Sequence, residues 1–159
     1  MIYTTDDVSI DNLKHFKFWD KVKERKHNLR VVAFVVAKDI VTPEFNRWFS
    51  DQQDWVEIGV HCYEHSKPQE GWREDQEQQI QKAINTLKPY LPKRYLYRPP
   101  GFRFLPQTEP ILKRLGFAGI AHQQFIKIFD TWEKIRVFNT HCTENEFNNP
   151  IGKIWQKLT

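Results

Sequence analysis

The chain has 159 residues, a net charge of +4, 40% hydrophobic residues and 28% charged residues. This suits one globular domain, residues 1–159, with a core large enough to stand without disulfide staples, and it excludes a disordered chain. It also excludes a bilayer-spanning helix, because no apolar run approaches the roughly 20 residues needed.

Met1 to Thr5 reads as a short strand that stops at Asp6-Asp7. Ser9 or Asp11 can cap a helix predicted to run to about Lys26, in which Leu13, Phe16, Trp19 and Val22 recur every three residues and Phe18 widens the apolar face. Lys21, Lys23, Arg25, Lys26 and His27 cluster there, but Asp20 and Glu24 interrupt them, so a solvated helix face is expected rather than a nucleic-acid patch. Leu29 to Ala37 is apolar and β-branched, which suits a strand buried on both faces of a parallel sheet. Thr42-Pro43-Glu44 opens a short helix with Pro in its first turn.

Trp55 to Val60 is the third predicted strand and delivers His61. Trp72 to Tyr90 reads as a helix with Ile80, Ile84, Leu87 and Leu91 as its stripe, closed by Pro89 and Pro92. Tyr95 to Tyr97 is a strand leading into Arg98-Pro99-Pro100-Gly101, and Gln107 to Leu115 is a helix ended by Gly116. Phe117 to Ala121, Lys127 to Phe129 and Ile135 to Thr140 read as strands, the last stopping at His141, and Ile151 to Leu158 as a short helix. This alternation is the pattern of βα units on a parallel sheet, where function gathers at the carboxyl ends of the strands.

Polar residues fall at those ends. His61 and His65, if the chain turns helical between them, have Cβ atoms roughly 6 Å apart. That is close enough to share a metal with bonds of ~2.0–2.1 Å. The plain alternative is two unrelated surface histidines. Asp6-Asp7 suits either a functional pair of acids at a strand end or a helix N-cap region. Arg98 suits a site residue or a surface ion pair, and His141 a site residue or a core imidazole. Cys62 and Cys142 each follow a histidine, but the spacing of a Cys2His2 zinc site is missing, so buried reduced thiols are expected.

Taken in order, these pieces resemble the polysaccharide deacetylase family (NodB homology domain, carbohydrate esterase family 4). Thr4-Thr5-Asp6-Asp7-Val8 resembles T-F-D-D-G, and His61-Cys62-Tyr63-Glu64-His65 resembles H-S/T-x-x-H. Arg98-Pro99-Pro100-Gly101 resembles R-x-P-Y, and Val137 to His141 resembles the late L-x-H motif. The resemblance implies an α/β fold, a distorted and incomplete (β/α)7-type barrel of parallel strands with helices outside. It also implies one divalent metal, zinc above all, held by Asp7, His61 and His65. Asp6 would be the general base, Arg98 its partner, and His141 the general acid that protonates the departing amine. Pro100, Gly101 and Phe102 would line the substrate groove, with a backbone N–H at Gly101 facing the oxyanion.

The chain departs from the family pattern at Thr5, Val8, Cys62 and Gly101, and its aspartate-tryptophan motif survives only as Asp130-Thr131-Trp132. In that motif Asp130 would tune His141 and Trp132 would wall the acetyl pocket. Trp72, Phe102, Phe104 and Trp132 are candidates for stacking on sugar rings. The expected activity is metal-dependent removal of N-acetyl groups from an amino sugar or polysaccharide. The alternatives are hydrolysis of a non-sugar C–N bond in another small amide, or a non-catalytic carbohydrate-binding relative. No nucleic-acid partner or membrane insertion is expected. With no secretory signal at its start, the chain reads as cytoplasmic unless an export segment was trimmed.

Overall fold

The computed structural model describes residues 2–25, 28–65, 75–103 and 105–141, with the backbone alone at 14, 15, 17, 18, 21, 25 and 138–141. The helix expected over 151–158, Cys142, and the stacking candidates Trp72 and Phe104 lie outside the described residues. Seven strands close a barrel in chain order: β1 (Ile2–Val8), β2 (Val31–Val36), β3 (Val56–Cys62), β4 (Leu96–Tyr97), β5 (Gly119–Ala121), β6 (Phe125–Ile128) and β7 (Lys134–His141). Neighbouring strands are parallel from β7 through β1 to β5, while β6 is antiparallel to both β5 and β7. The expectation of parallel strands therefore fails at one strand, which short hairpin turns connect on both sides. Among the described residues the helices follow β1 to β4: α1 (Lys17–Arg25), α2 (Pro43–Gln52), α3 (Gln76–Leu87) and α4 (Thr108–Arg114). None of them is long and apolar enough to cross a membrane.

The two faces of β2 show how the core is divided. Val31, Ala33 and Val35 pack outward with Phe16, Trp19, Phe45, Ile80 and Leu112 from the helical layer. Val32 and Phe34 instead join Ala121, Ile126 and Val137, all from strands, in the barrel interior. A central strand buried on both faces explains the unbroken apolar run. Gly59 sits opposite Phe34 in the β2–β3 pairing, and a Cβ there would lie 2.6 Å from the Phe34 ring. The glycine makes room for that ring in the barrel.

Residues 10–25 differ from the predicted single α-helix. Ile10–Phe16 is a 3-10 helix that continues into α1. Leu13 and Phe16 lie in the 3-10 helix, whose period is three, Trp19 and Val22 lie in α1, where i,i+3 residues still share a face, and all four side chains are buried. In α2 the Thr42 hydroxyl accepts from the Phe45 N–H at 3.1 Å and Pro43 occupies the first turn, as expected. α3 ends at Leu87, earlier than the predicted Tyr90: Lys88 keeps helical dihedrals (φ −45, ψ −40), but Pro89 has no N–H with which to continue the ladder. Gly116 closes α4 with φ +81, and the Phe117 N–H reaches back to the Leu112 carbonyl at 3.0 Å.

Candidate metal centre

Asp6 and Asp7 do not follow β1 but lie inside it. Between Thr5 and Val8 the pairing with β2 slips, three steps of β1 spanning two of β2, and Asp7 takes φ +58. Such a bulge re-aims side chains that a regular strand would alternate. The Asn12 side chain secures it, donating to the Asp7 carbonyl and accepting from the Ser9 N–H at 2.8 Å.

His61 stands near the end of β3, where the Arg98 N–H bonds the Val60 carbonyl at 2.9 Å. The His61 Nδ1–H donates to the Arg98 carbonyl at 2.8 Å. This bond fixes the tautomer and leaves the Nε2 lone pair directed at Asp7 Oδ1, 3.0 Å away. His65 brings its own Nε2 to 3.2 Å from the same oxygen. The two rings lie 5.4 Å apart and 32° from parallel. The helical turn considered between them does not form: β3 continues to Cys62, and a bend and loop carry the chain to His65.

Ligand atoms of Asp7, His61 and His65 all lie within 4.8 Å of one another. A lone pair of His61 facing a carboxylate oxygen is repulsive unless a cation or proton lies between them. The donor set, two imidazoles and one carboxylate, is a common one for zinc. The residues present therefore fit a divalent metal with coordination positions to spare. The centre opens into a cleft of about 420 Å³ that Asp7 and His65 share with Asp11, Lys38, Asp39 and Glu64.

Arg98 is fully buried beneath this centre. Its guanidinium donates to the Thr4 hydroxyl at 2.8 Å, faces the Asp6 carboxylate at 3.7 Å and stacks 4.3 Å over the Phe34 ring. Burial pulls its pKa down to about 10 against the opposing pull of Asp6 and Asp7, so it remains positive at neutral pH. The structure thus brings Asp6, Asp7, His61, His65 and Arg98 together. His141 joins them through its backbone, paired in register with Asp6, while its side chain lies outside the described atoms. Pro100, Gly101 and Phe102 form a short 3-10 turn on the same rim, with φ +59 at Gly101 and +55 at Phe102. The Phe102 ring lies 5.4 Å from the guanidinium, and its N–H is committed to the Pro99 carbonyl at 3.0 Å.

Asp130 and Trp132 are not at this site. They lie in the turn from β6 to β7, and because β6 runs backwards that turn is on the opposite rim. The length of β7 from Lys134 to His141 sets them roughly 23 Å away, at ~3.3 Å per residue. Asp130 pairs there with Arg94, and Trp132 is exposed beside Lys113 and Lys127. Asp130 therefore cannot tune His141, nor can Trp132 wall an acetyl pocket. Conversely, sequence reasoning gave no role to Thr4, Phe34 or Asn12. Thr4 and Asn12 flank the acidic pair, and that proximity was the available signal.

The family model described as polysaccharide deacetylase matches residues 22–120, which include His61, His65 and Arg98. No curated protein matches the chain in sequence. Among solved structures it is similar to a CE4 family pseudoenzyme from Bacillus anthracis, with TM-score 0.60 and 13% identity over 99% of this chain and 60% of that one. It is also similar to a family 4 acetyl xylan esterase from Clostridium thermocellum, solved with a cobalt ion, with TM-score 0.61 and 16% identity over 98% and 84%. A peptidoglycan N-acetylglucosamine deacetylase gives TM-score 0.63 and 18% identity over 99% and 80%. At these identities the likeness is one of fold, a (β/α)7 barrel in partial and distorted form, and the chain spans less than two thirds of the pseudoenzyme's length.

Proposed function

The chain belongs to the polysaccharide deacetylase family, and from that premise we propose that it is a metal-dependent hydrolase removing N-acetyl groups from an amino sugar or polysaccharide. The observation that carries this reading is the approach of Asp7, His61 and His65 to within 4.8 Å, beside a buried Asp6–Arg98 pair. A bound divalent cation, zinc above all, would supply a Lewis acid for the acyl oxygen and lower the pKa of water to ~7.

The rest of the chemistry falls to the chain. Asp6 takes the proton of the attacking water at a carboxylate oxygen, and Arg98 with Thr4 holds that carboxylate in place. A well-placed base of this kind contributes ~10²–10⁴-fold. His61, fixed by the Arg98 carbonyl, keeps its Nε2 aimed at the centre. His141 donates a proton to the departing amine, the role its motif implies. Pro100 and Phe102 wall the rim where the substrate enters, and Gly101 leaves that wall low.

Purified protein incubated with N-acetylglucosamine oligomers, with and without chelator, should release acetate only when metal is present. Asp6→Asn should abolish release while metal content stays near one per chain. A metal-replete protein that releases no acetate from any N-acetylated glycan or small amide would refute the catalytic reading. It would favour the second one, a glycan-binding relative, since a fold neighbour is itself a pseudoenzyme.

A further inference from the structure

His65 is the outermost member of the metal centre, its side chain 38% exposed where that of His61 is 3% exposed. It lies three residues beyond β3. The approach to it is fastened one residue at a time. The Ala37 N–H bonds the Cys62 carbonyl at 2.9 Å and the Lys38 N–H bonds the Tyr63 carbonyl at 2.7 Å, so the β2–β3 pairing runs on past both strands. Lys82 of α3 lies 3.9 Å over the Tyr63 ring. The Lys38 ammonium then grips Glu64 Oε1 at 2.6 Å. His65 is the next residue, and Lys38 and Glu64 line the same cleft as Asp7 and His65.

We infer that Lys38 is a positioning residue for the metal centre, strapping Glu64 to the end of β2 so that His65 stays within reach of His61 and Asp7. This rests on the metal-centre reading above. It can nevertheless be told apart from a simple effect of charge, because the two act with opposite signs. As a charge alone, Lys38 repels a cation at Asp7, and removing it would tighten metal binding. As a strap it holds a ligand in place, and removing it loosens the centre. Groups that orient ligands from outside the coordination shell typically change metal affinity by about 10–100-fold. An exposed pair belongs at or below the bottom of that range.

The test is a Zn2+ affinity measured by competition with a chromophoric chelator on wild type, Lys38→Met and Lys38→Arg. The strap predicts affinity reduced about 3–10-fold in Lys38→Met and close to wild type in Lys38→Arg, which keeps the ion pair. Affinity equal to or tighter than wild type in Lys38→Met would overturn it, as would loss in Lys38→Arg as large as in Lys38→Met. A wild-type protein that takes up no zinc overturns the metal-centre reading itself, and this inference with it.

Discussion

Replacing Arg98 by Met removes the guanidinium while keeping much of its length, and leaves the Asp6 carboxylate buried without its cation. At the observed 3.7 Å and an effective dielectric of about 20, the lost attraction is ~4.5 kcal/mol. The charged hydrogen bond to Thr4 adds ~1.5–3 kcal/mol. Against this, the variant is spared the burial penalty that lowers the Arg98 pKa to about 10. Breaking one side of a buried pair typically costs a net ~3–5 kcal/mol, a large part of the ~5–15 kcal/mol that holds a domain folded. Urea unfolding of wild type, Arg98→Met, Asp6→Asn and the double variant measures this as a cycle. The double variant should be more stable than the sum of the single losses predicts, with a coupling of roughly 1–3 kcal/mol. Additive losses would show that Arg98 does not act through Asp6, and the assignment of Asp6 as a clamped base would lose its support.

Gly59→Ala should cost about 1–3 kcal/mol in the same unfolding assay, because the Phe34 ring 2.6 Å from the new Cβ is itself pressed beneath Arg98. Zinc at 100 times its dissociation constant should stabilise the protein by ~2.7 kcal/mol, read as a rise of about 5–10 °C in the thermal midpoint. Chelator, or His65→Ala, should remove that rise. Burial, followed by Lys127, Lys134 and Arg98, holds the His122 pKa below its ordinary 6.5. The unfolded chain therefore binds that proton first as pH falls. The His122 contribution is intact above pH 6.5 and declines down to the folded pKa, so His122→Gln should flatten that part of the stability–pH curve; an unchanged curve would refute the assignment.

Features carried by neighbouring residues were legible in the sequence. Thr42-Pro43 states its own cap, Gly116 its own left-handed turn, and the apolar run of β2 its two buried faces. The metal centre was legible only because motifs stand in for contacts: nothing local in His61-Cys62-Tyr63-Glu64-His65 says that Asp7 will meet both rings. The helical turn imagined between the histidines was unnecessary, since a strand end and loop bring the rings to 5.4 Å. The bulge at Asp7 left no trace, because aspartate tolerates positive φ without announcing it. The costliest miss was direction. The β5–β6 connection, His122-Gln123-Gln124, lacks the Asn-Gly or Gly-Gly pair that marks many hairpins, so β6 read as one more parallel strand. That single reversal carried Asp130 and Trp132 to the wrong end of the barrel.

Both acids of the centre lie in β1, yet the histidines and the arginine they face are synthesised much later. Asp7 and His61 are 54 positions apart, and Thr4 and Arg98 are 94 apart. A nascent chain therefore carries Asp6 without its buried cation until Arg98 has emerged, and no piece ending before Arg98 contains the whole arrangement. A cation gripping Asp7 and His61 would act as a clasp across the 54 positions that separate β1 from the end of β3.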